Sequence, residues 1–272
     1  MNYNFFIIGG DNRNIELAKM LREDNNKVKV YGFENLDKQI FLNEGIEIAK
    51  TLNEIKKDNI IISAIPFTKD ETNINMPYSN EKVNINLLKN TRFIAGKIPE
   101  GFKGIDVMKD EQVTIENTVA TAEGAIAKAI EMSNVNITNS NTLILGFGRV
   151  GKMLAHKLKG LDANVYCEAR KEEDYAWIQS LGYNVVKQNN LKDNLCKMNF
   201  IFNTIPSMIL DKNMLLLVKH PVIIDLASKP YGVDFKTCER MKINAVQYGG
   251  IPGKISPKSS AEIIKNFIYK LT

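Results

Sequence analysis

The hexapeptide Gly146-Phe147-Gly148-Arg149-Val150-Gly151 constrains this chain more than any other segment. It follows the apolar run 142–145. It opens a stretch in which Val150, Met153, Leu154, Leu158 and Leu161 recur at helical spacing, and a further apolar run, 164–167, comes next. G-x-G-x-x-G alone is a weak signal. In the order strand, turn, helix, strand it has a physical reading. The first glycine makes the tight turn, the second lets the backbone approach a diphosphate, and the third lets helix and strand pack closely. The helix amides and dipole then hold the anion. The expectation is a dinucleotide-binding βαβ unit with all six residues, 146–151, against the cofactor.

The same rhythm fills most of the chain. Candidate strands are 5–8, 28–31, 60–65, 92–95, 142–145, 164–167, 183–186, 200–204, 222–226 and 243–246. Many are continuous apolar runs, as expected of strands covered on both faces. Helical patterns fall at 14–24, 150–160, 172–181, 211–218 and 233–241. The fold class expected is α/β, with two Rossmann-like doubly wound parallel-sheet domains and a cleft between them. The domains expected are 1–117, substrate-side, and 134–256, cofactor-binding. A linker helix at 118–133 joins them, with Val119, Ala122, Ile126, Ala129 and Ile130 on one face. An amphipathic tail, 257–272, is expected to pack back on the first domain.

Length agrees: 272 residues make two domains at about 150 residues each. The chain has 36 Lys and Arg against 31 Asp and Glu, a net charge of +5, and no block of about five or more like charges. That balance favours an anionic ligand weakly and argues against nucleic acid. Its 44% hydrophobic content excludes a disordered chain. The nearest cysteines, Cys167 and Cys196, are 29 residues apart, so no CxxC pair exists and no metal site is expected. The apolar run at 5–8 is too short for a secretory leader or a membrane span, and a cytoplasmic protein with reduced thiols is the expectation.

The end of the strand at 164–167 bears on NADP against NAD. Dehydrogenases using NAD place an Asp or Glu there, about 20 residues past the first glycine, for the ribose 2′-hydroxyl. Ala169 stands 23 residues after Gly146, and Arg170 and Lys171 follow; a small residue and a guanidinium suit a 2′-phosphate. NADP is therefore favoured, with NAD less so. A register slip of one residue would make Glu168 the ribose acid and reverse the preference. Alternatively, Arg170 and Lys171 are a solvated helix start beside Glu172, Glu173 and Asp174. Asn203 with the backbone of Thr204, Ile205 and Pro206 could line the nicotinamide ribose, and so could Ala227 at the next strand end. Each also reads as simple strand termination.

In the first lobe, Gly9 and Gly10 permit close backbone approach, and Arg13 could fork onto a carboxylate. Asp11 reads equally well as a helix cap. Pro66 ends another strand of that lobe. Thr121 and Glu123 lie on the linker helix, where Glu123 is a candidate proton acceptor or merely a helix acid. Pro252, Gly253 and Lys254 form a loop able to hold an anionic substrate, or a solvated one. His156 and His220 both read as structural. With no His–carboxylate pair, either the redox substrate is not an alcohol or a Lys or Glu acts as the base.

GGDNR at 9–13, SAIP at 63–66, TAEGAI at 121–126, GFGRVG, Ala169-Arg170, NTIPS at 203–207, DLASKP at 225–230 and GIPGKISPKSS at 250–260 come in an order that resembles the dipicolinate synthase A-subunit family. The resemblance covers nearly the whole chain. Tyr231 and Ala120 depart from it, where a glycine and a proline are expected. The resemblance implies oxidation of a dihydrodipicolinate to dipicolinate with NADP as hydride acceptor, in the mother cell of a spore-former. It also implies a partner, the flavoprotein-like B-subunit of the same synthase, and leaves a homo-oligomer open. Under it, 146–151 with Ala169, Arg170 and Lys171 bind cofactor. Asp11, Arg13, Pro66, Pro252, Gly253 and Lys254 become substrate-side, and Arg13, Thr121, Glu123 and Lys254 catalytic. Two other readings stand beside it: an NADP-dependent reductase of another small oxo or imino acid, and an NADP-sensing module without turnover.

Overall fold

Strand and helix alternate in two passes along the chain, which a computed structural model describes from residue 2 to residue 272. The first pass runs β1 Asn4–Ile8, α1 Asn12–Glu23, β2 Lys27–Tyr31, α2 Gln39–Leu42, β3 Glu47–Ile48, β4 Asn59–Ser63, β5 Phe93–Ala95 and β6 Ile105–Asp106. Helix α3, Glu111–Met132, leads into β7 Asn141–Leu145, α4 Arg149–Gly160, β8 Asn164–Ala169, α5 Glu172–Ser180, β9 Asn184–Lys187, α6 Leu191–Leu195 and β10 Phe200–Asn203. Then come α7 Lys212–Leu215, β11 Val222–Asp225, α8 Phe235–Arg240, β12 Ala245–Gln247, α9 Ile251–Ile255 and α10 Pro257–Tyr269. Two units result: residues up to 117 together with 252–272, and residues 118–251.

Each unit is a six-stranded sheet whose named strand pairs are all parallel. The orders are β3-β2-β1-β4-β5-β6 and β12-β11-β10-β7-β8-β9. Alternation along β1 feeds two cores. Phe5 and Ile7 join Leu17 and Leu21 of α1 and Ala261, Ile264 and Ile268 of α10. Phe6 and Ile8 join Ile61, Phe67, Met76 and Phe93 on the other face. In the second unit Val165, Cys167 and Ala169 pack with α4, while Leu143, Leu145 and Val186 pack with Leu191, Leu195 and Ile205. Strands covered on both faces explain the continuous apolar runs.

The linker helix differs from its expected span: it begins at Glu111, seven residues before 118. Asp110 Oδ1 accepts from the Val113 amide at 2.9 Å, which caps the first turn, and the polar run EQVTIEN carries no apolar stripe to mark it. Ile130 leaves the buried face, 53% exposed, and Ala125 takes its place beside Ala122, Ile126 and Ala129. The expected helices 211–218 and 233–241 shrink to Lys212–Leu215 and Phe235–Arg240, started by Asp211 and Asp234 caps. The two-residue strands β3 and β6 are too short to show a period.

Candidate functional site

In the second unit the chain leaves β7 outward through β8 and β9, then returns to β10 on β7's other side. Open α/β sheets bind ligands at the carboxyl ends of strands where the order reverses in this way. The glycine turn sits there. Gly146 has φ +90°, a conformation that disfavours side chains, and its amide donates to the Glu168 carbonyl at 3.2 Å. A Cβ on Gly151 would overlap the Gly146 carbonyl oxygen, so helix and turn touch directly. Gly148 is different. A Cβ there would meet nothing within 4 Å, so the chain itself sets no demand for glycine at that point. It is also the N-cap of α4 and supplies no side chain to the helix amides. An uncapped helix start with open space in front fits a diphosphate.

Thr204 braces this turn. Its amide and hydroxyl both donate to the Leu145 carbonyl, at 3.0 and 2.8 Å, and a Cβ on Gly146 would lie 2.7 Å from its Oγ1. Ile205 is buried against the same turn and Pro206 is exposed. Phe147 is buried, with the Lys152 ammonium 5.5 Å from its ring centre, while Arg149 is exposed and Val150 half-buried. Ala169 is buried at the end of β8; Arg170 and Lys171 follow, exposed, and neither has an ion-pair partner among the described residues. Glu168 pairs with Leu145 and Val186 in register, on the face of β8 opposite Ala169. Ala169 and Glu168 thus end β8 on opposite faces of the sheet. These features fit a nicotinamide dinucleotide.

Two residues expected at the site have side chains engaged within the protein. Asn203 is fully buried and committed internally: its amide donates to Asp225 Oδ1 at 2.8 Å and to the Ile205 carbonyl at 3.0 Å, and its Oδ1 accepts from the Ile205 amide at 3.1 Å. It shapes the turn after β10. Its partner Asp225, which sequence reasoning left unassigned, also accepts from the amides of Ala227 and Gly232, both at 3.0 Å. Asp225 thus ties two strand ends and the loop 226–232 together. Glu123, expected as the proton acceptor, is an exposed surface acid 2.7 Å from the Lys157 ammonium. Lys157 stands nine residues past Gly148 along α4, about 13 Å of helix, so this carboxylate is held far from the glycine turn. Thr121 lies two residues earlier on α3, which places it on another side of that helix.

The first unit repeats the topology without the opening. Its order reverses between β1 and β4, but the turn after β1 is closed by its own chain. The Gly9 amide donates to the Tyr31 carbonyl and the Gly10 amide to that of Asn75. The Met76 side chain fills the space beside Gly9 and Gly32. Asp11 caps α1, its Oδ1 accepting from the Arg13 amide at 3.1 Å, so a carboxylate already occupies the helix start. Arg13, 8% exposed, forks onto that same Asp11, Nε to Oδ1 at 2.9 Å and a terminal nitrogen to Oδ2 at 2.8 Å, and also donates to the Ile65 carbonyl beside Pro66. The fork expected for a substrate is engaged by the protein. A Cβ on Gly253 would overlap Asp11 Oδ2 and lie 3.0 Å from Arg13 Nε, so α9 rests on the pair. Asp11, Arg13, Pro66 and Gly253 are thereby brought together; Pro252 and the exposed Lys254 flank Gly253. Tyr78, hydrogen-bonded to Asn12 Oδ1, joins the same edge with no sequence signal. His156 is exposed on α4, and His220 precedes β11, at the opposite end of the sheet. No cluster able to hold a metal occurs among the described residues.

A parallel doubly wound sheet with an open glycine cradle defines a dehydrogenase-type oxidoreductase that binds a nicotinamide cofactor. Residues 104–227 match the NAD-binding domain of D-isomer specific 2-hydroxyacid dehydrogenases, and residues 4–116 match the N-terminal domain of the dipicolinate synthase A-subunit. The dipicolinate synthase A-subunit of Bacillus subtilis (strain 168) is 31% identical over 97% of this chain and 94% of its own length. The chain belongs to the dipicolinate synthase A-subunit family. The crystal structure of the Bacillus halodurans member superposes with a TM-score of 0.87 at 28% identity, covering 99% of this chain and 97% of that one. The Bacillus subtilis structure gives 0.85 at 28%, covering 100% and 96%. A transhydrogenase from Sinorhizobium meliloti, at 0.61 and 13% identity over 98% and 94%, shares the fold.

Proposed function

We propose that the chain oxidises a dihydrodipicolinate to dipicolinate, pyridine-2,6-dicarboxylate, with NADP as the hydride acceptor. The observation that supports this most is the open space before Gly148 at the uncapped start of α4, with Ala169 and Arg170 at the neighbouring strand end. The dipicolinate synthases among the relatives supply the substrate class.

When bound, NADP accepts a hydride; the ring loses that hydride and one proton and becomes an aromatic pyridine. Aromatisation supplies driving force, and no hydroxyl is deprotonated, which suits a chain without a His–carboxylate pair. The amides of the turn 146–149 and the dipole of α4 hold the diphosphate. Arg170, assisted by Lys171, pairs with the 2′-phosphate, and no carboxylate at 169 opposes it. Thr204, Ile205 and Ala227 line the cofactor edge, braced through Asn203 and Asp225. On the substrate side Arg13 acts by fixing the Asp11 turn, and Lys254 supplies exposed positive charge for a carboxylate. With Glu123 held by Lys157, the proton passes to water. The relatives are named as one lettered component of a synthase, which supports a second polypeptide as partner.

The test supplies the dihydrodipicolinate formed from aspartate semialdehyde and pyruvate, with NADP or NAD. Reduced nucleotide and dipicolinate are expected together, with NADP preferred. Substituting Arg170→Gln should weaken NADPH binding by about tenfold and spare NADH. Equal use of both coenzymes before and after that change would overturn the NADP reading.

A further inference from the structure

The segment DLASKP at 225–230 holds more than the coenzyme reading uses. Asp225, fully buried, accepts from the amides of Ala227 and Gly232 and from the Asn203 side chain, so one carboxylate fixes both ends of the loop 226–232. A Cβ on Gly232 would lie 2.1 Å from Asn203 Nδ2, so the loop backbone rests directly on that side chain. The Tyr231 amide donates to the Ser228 carbonyl at 2.9 Å, which closes a turn with Lys229 and Pro230 at its centre. Tyr231 is held at φ +69°, a left-handed conformation that is costly for an aromatic residue. Ser228, Lys229 and Pro230 are exposed at the tip. A buried charge and a strained residue thus hold in place a short loop whose outer residues face solvent.

The sheet order gives that tip its meaning. β12-β11-β10-β7-β8-β9 consists of two three-strand halves, and a dinucleotide lies across the crevice between such halves. With the glycine turn and Arg170 on the half β7-β8-β9, the nicotinamide falls to the carboxyl ends of β10, β11 and β12. A ring that gives up a hydride must approach the nicotinamide to about 3–3.5 Å, so its substituents meet the segments that leave those three strands. These segments are 204–211, 226–234 and 248–250. Lys229 is their single Lys or Arg. Lys212 and Lys236 come only inside α7 and α8, each directly behind a carboxylate cap, Asp211 and Asp234. The Lys229 ammonium has no ion-pair or hydrogen-bond partner among the described residues.

We infer that Lys229 is a substrate-binding residue, its ammonium donating to one ring carboxylate of the dihydrodipicolinate. The inference rests on the proposed reaction and deepens it: the coenzyme-binding unit itself reads the charge of the substrate. Lysine suits the task. It is a compact charge with three donors on a flexible stem, able to follow a carboxylate as the ring flattens on aromatisation. Asp225 holds the loop without competing for that charge, because its oxygens are engaged by Asn203, Ala227 and Gly232.

Calorimetry on protein saturated with NADPH compares dipicolinate with pyridine-2,6-dicarboxamide, the same ring without charge. The aromatic product stands in for the substrate, and its aromaticity keeps it from turning over. The unaltered protein should bind dipicolinate at least about tenfold more tightly than the diamide. Lys229→Gln should weaken dipicolinate by about tenfold and leave the diamide within about twofold, since one charged hydrogen bond is lost. Lys229→Arg should restore dipicolinate to within about threefold. NADPH affinity and melting temperature should be the same in all of these proteins, as befits an exposed side chain. In initial-rate assays the KM for dihydrodipicolinate should rise by about tenfold in Lys229→Gln. Unchanged dipicolinate affinity in Lys229→Gln overturns the inference. So does an equal loss for both ligands, which would be an effect of loop shape, and so does a loss of NADPH affinity, which would place Lys229 on the coenzyme. If the unaltered protein takes up neither NADPH nor NADH, or takes up coenzyme and leaves dihydrodipicolinate unoxidised, the proposed reaction falls and the inference with it. Turnover that is indifferent to Lys229→Gln removes the inference alone.

Discussion

Arg13 closes a two-pronged ion pair on Asp11, the residue two before it, while Asp11 caps the helix that Arg13 begins to climb. The pair is local in sequence yet sits under α9, from the far end of the chain, through Gly253. Substituting Arg13→Ala removes one partner of a largely buried pair. A stability loss of about 2 kcal/mol is expected, less than for a fully enclosed pair because the Asp11 carboxylate keeps some contact with water. The substrate KM should rise by about tenfold through the loosened turn, with NADP affinity unchanged. Urea unfolding and initial-rate kinetics on one preparation check both; full stability would remove the pair from the account of the turn.

The glycines at 148 and 151 should separate binding from stability. A methyl at 148 meets no protein atom, so Gly148→Ala should melt with the unaltered protein and bind coenzyme at least about tenfold more weakly. A methyl at 151 overlaps the Gly146 carbonyl, so Gly151→Ala should lower stability by about 1–3 kcal/mol. Thermal melts with and without NADPH distinguish the two. Equal destabilisation by both would contradict the open space before Gly148.

Thiol reactivity should follow burial. Cys196 is exposed, whereas burial pushes the Cys167 thiol up to about 12 and the Cys238 thiol up to about 11. In the native protein at neutral pH, a thiol reagent should modify one of the three cysteines rapidly. All three should react in denaturant. Rapid modification of Cys167 in the folded protein would show that the strand β8 opens locally.

The Glu168 carboxyl lies above its ordinary value of 4.5 because burial disfavours the charge. The folded chain then binds this proton more tightly than the unfolded chain does. The contribution is complete below the unfolded value and is lost as pH rises through the folded one. Glu168→Gln has no such proton, so its stability should decline less than that of the unaltered protein as pH rises above about 4.5. Denaturant midpoints from pH 4 to pH 9 measure the difference between the two proteins; superimposable profiles would mean that the carboxyl is not desolvated.

Local order was legible in the amino-acid sequence because it has short-range causes. GFGRVG after an apolar run announces a strand, a turn and a helix start through backbone geometry that glycine alone permits at Gly146. The uninterrupted apolar runs announce strands buried on both faces. Tertiary structure decided which polar groups remain for a ligand. Asn203 and Arg13 looked available until Asp225 and Asp11 were seen to hold them, and Glu123 until Lys157 reached it across 34 positions of chain. The two sheets have kindred topologies, yet one turn is filled by Met76 and capped by Asp11 while the other stays open at Gly148. Those outcomes depend on contacts between residues distant in the chain, and no local pattern encodes which donor meets which acceptor.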